Sequence, residues 1–155
     1  MSRRSLGVKK RSEKASIRFD TGSGFGSTNT YIRTFTTKTE YGTNRGMVAT
    51  TSSTLGWYVT ITKRGMYWIQ YQDDSTTNNN HRGISKNLSG SQLTADPNGI
   101  SNANRLVAST GHLDGTDMTA MGFCGYFESG DTIWPHGNAQ QNKTTNVYFE
   151  VVRLF

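Results

Sequence analysis

The 155-residue chain has a single cysteine, Cys124, so no intrachain disulfide can form and the fold cannot rest on covalent staples. Apolar residues are scarce at 33% of the total, while threonine, serine, asparagine and glycine abound. No apolar run is long enough to cross a membrane as a helix, so no membrane partner is expected. No window holds apolar residues at helical spacing for long, which argues against a helical bundle, and no internal repeat occurs. The opening Met1-Ser-Arg-Arg-Ser-Leu6 has the look of a twin-arginine export signal. Gly7-Val-Lys-Lys-Arg11 follows where such a signal needs apolar residues, so the expectation is a protein made in the cytoplasm and kept there or released by lysis.

Chemistry-bearing clusters are equally sparse. His81, His112 and His136 fall in expected loops, without cysteine or carboxylate at ligand spacing, and read as surface histidines. Asp73 and Asp74 open the polar run 73–81 but lack the companion carboxylates that calcium demands, so that run reads as a solvated surface loop. Cys124 sits among Phe123, Gly125 and Tyr126 and reads as a buried thiol, not a nucleophile. Asp131 beside Gly130 reads as a turn residue. The expectation is therefore no catalytic residue, no metal and no cofactor.

Period-2 alternation is what the chain does have. In Leu55–Asp74, Trp57, Val59 and Ile61 alternate with Tyr58, Thr60 and Thr62. Lys63-Arg-Gly65 interrupts, and Tyr67, Ile69 and Tyr71 then alternate with Met66, Trp68 and Gln70. Two aromatic-rich strands meeting at a glycine predict the middle of a two-layer β structure, because such a pair needs a second sheet to cover it. Further strands are expected at Ala15–Asp20, Asn29–Glu40, Met47–Thr51, Gly83–Leu88, Asn104–Thr110, Met118–Phe127, Thr132–Pro135 and Thr145–Phe155. Thr21–Gly26 and 137–145 read as loops, Asp96–Gly99 and Glu128–Asp131 as turns. Leu154 and Phe155, at an apolar C-terminus, are expected in a core or an interface.

Charge is unevenly placed. Residues 1–18 hold seven basic side chains against Glu13 alone, which accounts for the whole net charge of +6. Residues 19–155 balance ten basic against ten acidic side chains. The high pI thus belongs to an arm on a neutral body, whereas a folded nucleic-acid-binding surface would carry the charge itself. Residues 1–15 have too few large apolar side chains to order themselves alone. Arg3, Arg4, Lys9, Lys10, Arg11 and Lys14 are the candidate docking residues. Without interleaved aromatics the arm is not expected to bind nucleic acid specifically. The domain reading is an arm over 1–15 and one β domain over 16–155.

Arg64-Gly65-Met66-Tyr67, Tyr126-Phe-Glu-Ser-Gly-Asp-Thr-Ile133 and the closing Val147-Tyr-Phe-Glu-Val151 resemble the C1q/tumour-necrosis-factor type of jelly roll. Phe127 stands where that family tends to have leucine. Gly83-Ile-Ser-Lys-Asn87, Ile100-Ser-Asn-Ala-Asn-Arg-Leu106 and Gly125-Tyr-Phe-Glu-Ser-Gly-Asp-Thr-Ile-Trp-Pro-His136 are similar to phrases of C1q-like proteins encoded by tailed bacteriophages. The likeness covers about residues 25–155. It implies an all-β jelly-roll sandwich that assembles as a homotrimer, with aromatics about the three-fold axis.

The function expected is a non-enzymatic virion protein: a capsid decoration or cement protein whose arm docks on the major capsid protein or another virion protein. The alternative is a receptor-binding tail fibre or spike module recognising host glycans. There the loops 73–82 and 137–145 would vary, and Trp134 is the candidate exposed recognition aromatic. A cytokine-like or lectin-like secreted ligand is a third reading, opposed by the absence of a signal-peptide pattern at the start.

Overall fold

The computed structural model describes residues 15–43, 45–75, 80–111, 117–137 and 145–155. Among these residues ten strands form two five-stranded antiparallel sheets. The first sheet has the order β2 (Arg33–Tyr41), β1 (Ala15–Phe25), β10 (Tyr148–Arg153), β5 (Gly65–Ser75), β8 (Asp117–Phe127). The second has the order β3 (Met47–Thr50), β4 (Tyr58–Ile61), β9 (Thr132–Gly137), β6 (Asn80–Lys86), β7 (Arg105–Gly111).

The alternation predicts the buried faces correctly. Ile17 and Phe19 of β1, Val59 and Ile61 of β4, Tyr67, Ile69 and Tyr71 of β5, and Phe149 and Val151 of β10 are fully buried in one core. Phe19 is at its centre, with ring centroids 5.1 Å from Trp57, 5.6 Å from Phe35 and 6.0 Å from Phe149. Each such side chain stabilises the fold by about 1.5–3 kcal/mol relative to exposure, so this layer clamps one sheet to the other.

The central pair departs from expectation in its connection. β4 and β5 are not hydrogen-bonded neighbours; they lie in opposite sheets. The Lys63–Gly65 step is a corner that carries the chain between layers. The Tyr67 hydroxyl braces it, lying 3.0 Å from the Gly46 carbonyl and 2.6 Å from that of Lys63.

Other expectations also change. Thr21–Gly26 is mostly strand, because β1 runs to Phe25 through a register shift between Gly22 and Gly24. The run 73–81 is not one surface loop: β5 extends to Ser75, β6 starts at Asn80, and Asp73 and Asp74 are buried. Cys124 is exposed, because β8 alternation turns Met121 and Phe127 inward and Cys124 outward. Leu154 and Phe155 lie on the surface of the single chain. Residues 87–104, between β6 and β7, contain two short 3-10 turns, Gly90–Thr94 and Pro97–Gly99.

Candidate interaction surface

The two sheets present very different outer faces. On the second sheet, strand alternation points Tyr58 and Trp134 outward, opposite to Val59 and Ile133 of the core. The 87–104 segment folds over them as a flap. Leu88, Ile100, Trp134 and Ile32 form a second buried apolar cluster, and the Tyr58 and Trp134 rings stack 3.9 Å apart. Trp134 is therefore not the exposed recognition aromatic the sequence reading expected: it is 6% exposed, its indole N–H donating to Thr132 Oγ1 at 2.9 Å. The flap supplies the apolar cover that a tryptophan beside a proline did not reveal.

His136 is likewise not a surface loop residue. It lies fully buried in β9, with Nε2 2.7 Å from the Ala95 carbonyl of the flap and Nδ1 3.2 Å from Ser85 Oγ. The carbonyl can only accept, so Nε2 carries the proton and Nδ1 accepts from the serine hydroxyl. A serine against a histidine has the outline of a nucleophile and its base. Here both residues are fully buried, out of reach of any substrate in solution, and the Nε2 contact reaches the flap backbone, so the pair fastens the flap. His81, only part exposed, adds a contact at 2.9 Å from its Nδ1 to Asp96 Oδ2.

The latch continues into the β8–β9 turn. Asn87 Nδ2 donates to Asp131 Oδ1 at 2.7 Å, Asn87 Oδ1 accepts from the Thr132 N–H at 2.8 Å, and Asp131 Oδ2 accepts from the Glu128 N–H at 2.9 Å. Asn104 donates to the Asn87 carbonyl at 2.9 Å. Asp131 is the turn residue its sequence position predicts. The three phrases 83–87, 100–106 and 125–136 thus meet one another, and their shared residues hold the flap and turn in place.

The outer face of the first sheet has no such cover among the described residues. Ser16, Val152, Trp68 and Cys124 form one row across four strands. Met66 pairs with Tyr126 in the next row, and the Leu154 N–H donates to the Met66 carbonyl at 2.9 Å. Trp68 lies over Gly122, where a Cβ would stand 2.9 Å from the indole ring carbons. Tyr126 is 55% exposed and Phe155 77%. Towards the other edge the same face turns polar, with Arg18 bonded to Asp20 at 2.8 Å and 3.6 Å from Glu150. An apolar strip flanked by charge has the anatomy of a protein interface.

Two further features bear on chemistry. A groove of about 420 Å³ is lined by the hydroxyls of Ser23, Thr34, Thr51 and Ser53 and the rings of Phe25 and Trp57, with no ionisable group. Among the described residues no three His, Cys, Asp or Glu side chains are grouped to hold a metal ion. The candidate docking residues Arg3, Arg4, Lys9, Lys10, Arg11 and Lys14, together with His112, lie outside the described residues, as do 76–79 and 138–144 of the two candidate recognition loops.

No protein-family model and no curated protein matches the sequence. Solved structures do match. Murine APRIL at pH 5.0 superposes with a TM-score of 0.62 at 13% identity, over 91% of this chain and 99% of that one. GITRL from bushbaby gives 0.56 at 16% identity, over 91% and 94%. GITRL from pika gives 0.56 at 17%, over 92% and 97%. The fold is a tumour-necrosis-factor-type jelly roll. At these identities the likeness is one of fold, and it agrees with the jelly roll expected from the sequence.

Within this jelly roll, burial lowers the His136 pKa from 6.5 to about 4, so the ring is neutral at pH 7. As pH falls below 6.5 the unfolded chain takes up a proton that the folded chain refuses, so stability is lost between pH 6.5 and 4, by about 3 kcal/mol in all. Asp73 acts oppositely: burial raises its pKa despite Arg33, so the folded chain takes that proton first and is relatively favoured by acid. The prediction is that the unfolding midpoint drops from pH 7 to pH 4.5, and that His136→Gln flattens this slope. An unchanged slope in the variant would remove His136 from the pH dependence.

Proposed function

We propose that this chain is a non-enzymatic virion structural protein, a trimeric capsid decoration or cement protein of a tailed phage. It self-associates through the outer face of its first sheet and docks on the shell through its basic arm. The observation that carries the self-association is the contrast between the two outer faces. One is covered by the chain's own flap; the other leaves Trp68, Tyr126, Leu154 and Phe155 in the open. Solvent-exposed rings in adjacent rows of a sheet are costly unless a second surface covers them. The homotrimer implied by the resemblance of the sequence is the assembly that would supply that surface.

The phage assignment is supported by the phrases 83–87, 100–106 and 125–136, and the docking role by the concentration of the net charge in residues 1–18. Three arms on one trimer would turn weak single contacts into firm attachment through effective concentration. The receptor-binding alternative loses Trp134 as its aromatic. The uncharged groove at Phe25 and Trp57, with its hydroxyl lining, is the feature that favours it, since rings and hydroxyls without charge suit a neutral sugar.

Two outcomes are expected. In solution the native chain has about three times its 17.2 kDa mass, and Trp68→Glu combined with Tyr126→Glu gives a folded single chain. A wild-type monomer would refute the trimer. On virions, gold-labelled antibody against the chain spreads evenly over the head, and a chain beginning at Ala15 folds and assembles but no longer attaches. Label confined to the tail tip would favour the receptor-binding reading, and no label would exclude both.

A further inference from the structure

One end of the sandwich interior is charged. Arg33 of β2, Asp73 of β5 and Arg82 of β6 have no solvent exposure, and Tyr71 beside them is also fully buried. Strand alternation places all four on the inner faces, in step with Phe35, Ile69 and Ile84 of the core, and sends Asp74 to the opposite face of β5. Among the described residues, two guanidinium groups thus share this end of the interior with one inward-facing carboxylate.

That carboxylate is already committed. Asp73 Oδ1 is 3.1 Å from Arg33 Nη2 and accepts from the Asp74 N–H at 2.8 Å, while Oδ2 accepts from the Tyr71 hydroxyl. Arg33 Nη1 also donates to the Gly24 carbonyl at 3.3 Å, and its guanidinium lies where a Gly22 Cβ would come within 2.5 Å of Nη2. Arg82 feels the same carboxylate through space but makes no ion pair with it at hydrogen-bond distance among the described residues. Its Nη1 donates to Thr119 Oγ1 at 2.5 Å, a neutral acceptor, and its Nε and Nη2 meet no acceptor among the described residues. A guanidinium cannot shed its proton to escape burial, and a buried one whose donors are left unpaired is costly to the fold.

We propose that a small monovalent anion of halide size binds at this end of the sandwich, taking hydrogen bonds from Arg82 Nε and Nη2 and completing the charge balance of the Arg33–Asp73–Arg82 cluster. The burial of Arg82 selects a small ion: a phosphate group on a polymer or a carboxylate on a partner would have to displace core side chains to reach it. The Thr119 hydroxyl, once it accepts from Arg82, has its own proton free to donate to the same ion. The ion enters as the two sheets close, so it acts as a ligand of the folded state alone and stabilises it by mass action.

Anion exchange at constant ionic strength tests this directly. Replacing isethionate by chloride, from about 5 to about 500 mM, is expected to raise the unfolding midpoint by about 5 °C in a saturable way. Bromide should act alike, and Arg82→Met should abolish the dependence. A midpoint indifferent to chloride, or a dependence that persists in Arg82→Met, would overturn the proposal. Should that variant fail to fold, bromide-soaked crystals of the wild-type protein decide the matter. Anomalous density within hydrogen-bond distance of Arg82 supports the ion, and its absence refutes it.

Discussion

The aromatic layer around Phe19, Tyr71 and Phe149 is what the rest of the molecule depends on, because it decides which side chains must point the other way. Once Tyr67, Ile69 and Tyr71 are buried, the pleat forces Trp68 outward. Once Met121 and Phe127 are buried, Cys124 and Tyr126 follow it. A sandwich so built has two outer faces to manage, and this chain manages them unequally. The second sheet is closed by the 87–104 flap, held through His136, Asp96, Asn87 and Asp131. Among the described residues the first leaves Trp68, Tyr126, Leu154 and Phe155 exposed, and that inequality is the physical basis for proposing self-association through it.

Much of the fold was legible because alternation is a local signal. The inward set of β4, β5 and β10 could be read residue by residue, and the same rule carried one step further places Asp73 inside, two positions beyond Tyr71. Its polar neighbours, Ser75 through Asn80, drew the reading towards a loop instead. Arg33 and Arg82 were missed for a similar reason. Each stands two residues before a buried apolar side chain, Phe35 and Ile84, but an arginine at an inward position contradicts the usual preference for exposure.

Connections and cover were not legible. Nothing in Lys63–Gly65 distinguishes a hairpin from a corner between layers, since both need a glycine and a bend. Trp134 looked exposed because its cover arrives from residues 88–100, far away in sequence. Cys124 looked buried because an apolar run hides which of its members alternate outward. The resembling phrases have a structural meaning as well: Asn87, Asn104, Asp131 and His136 bind one another or the flap. In this chain their role is architectural: they hold the flap and the turn in place.

The exposed thiol reports directly on this face, because Cys124 lies in the same row as Trp68, within the strip proposed for self-association. The measurement is the rate at which the native protein reacts with a maleimide, compared with the unfolded chain. If the first sheet meets another copy through this face, the native thiol is protected and reacts far more slowly than the unfolded one, and dilution below the assembly concentration restores its reactivity. Reaction at the unfolded rate at every concentration would mean that the face is bare in solution and that the interface lies elsewhere.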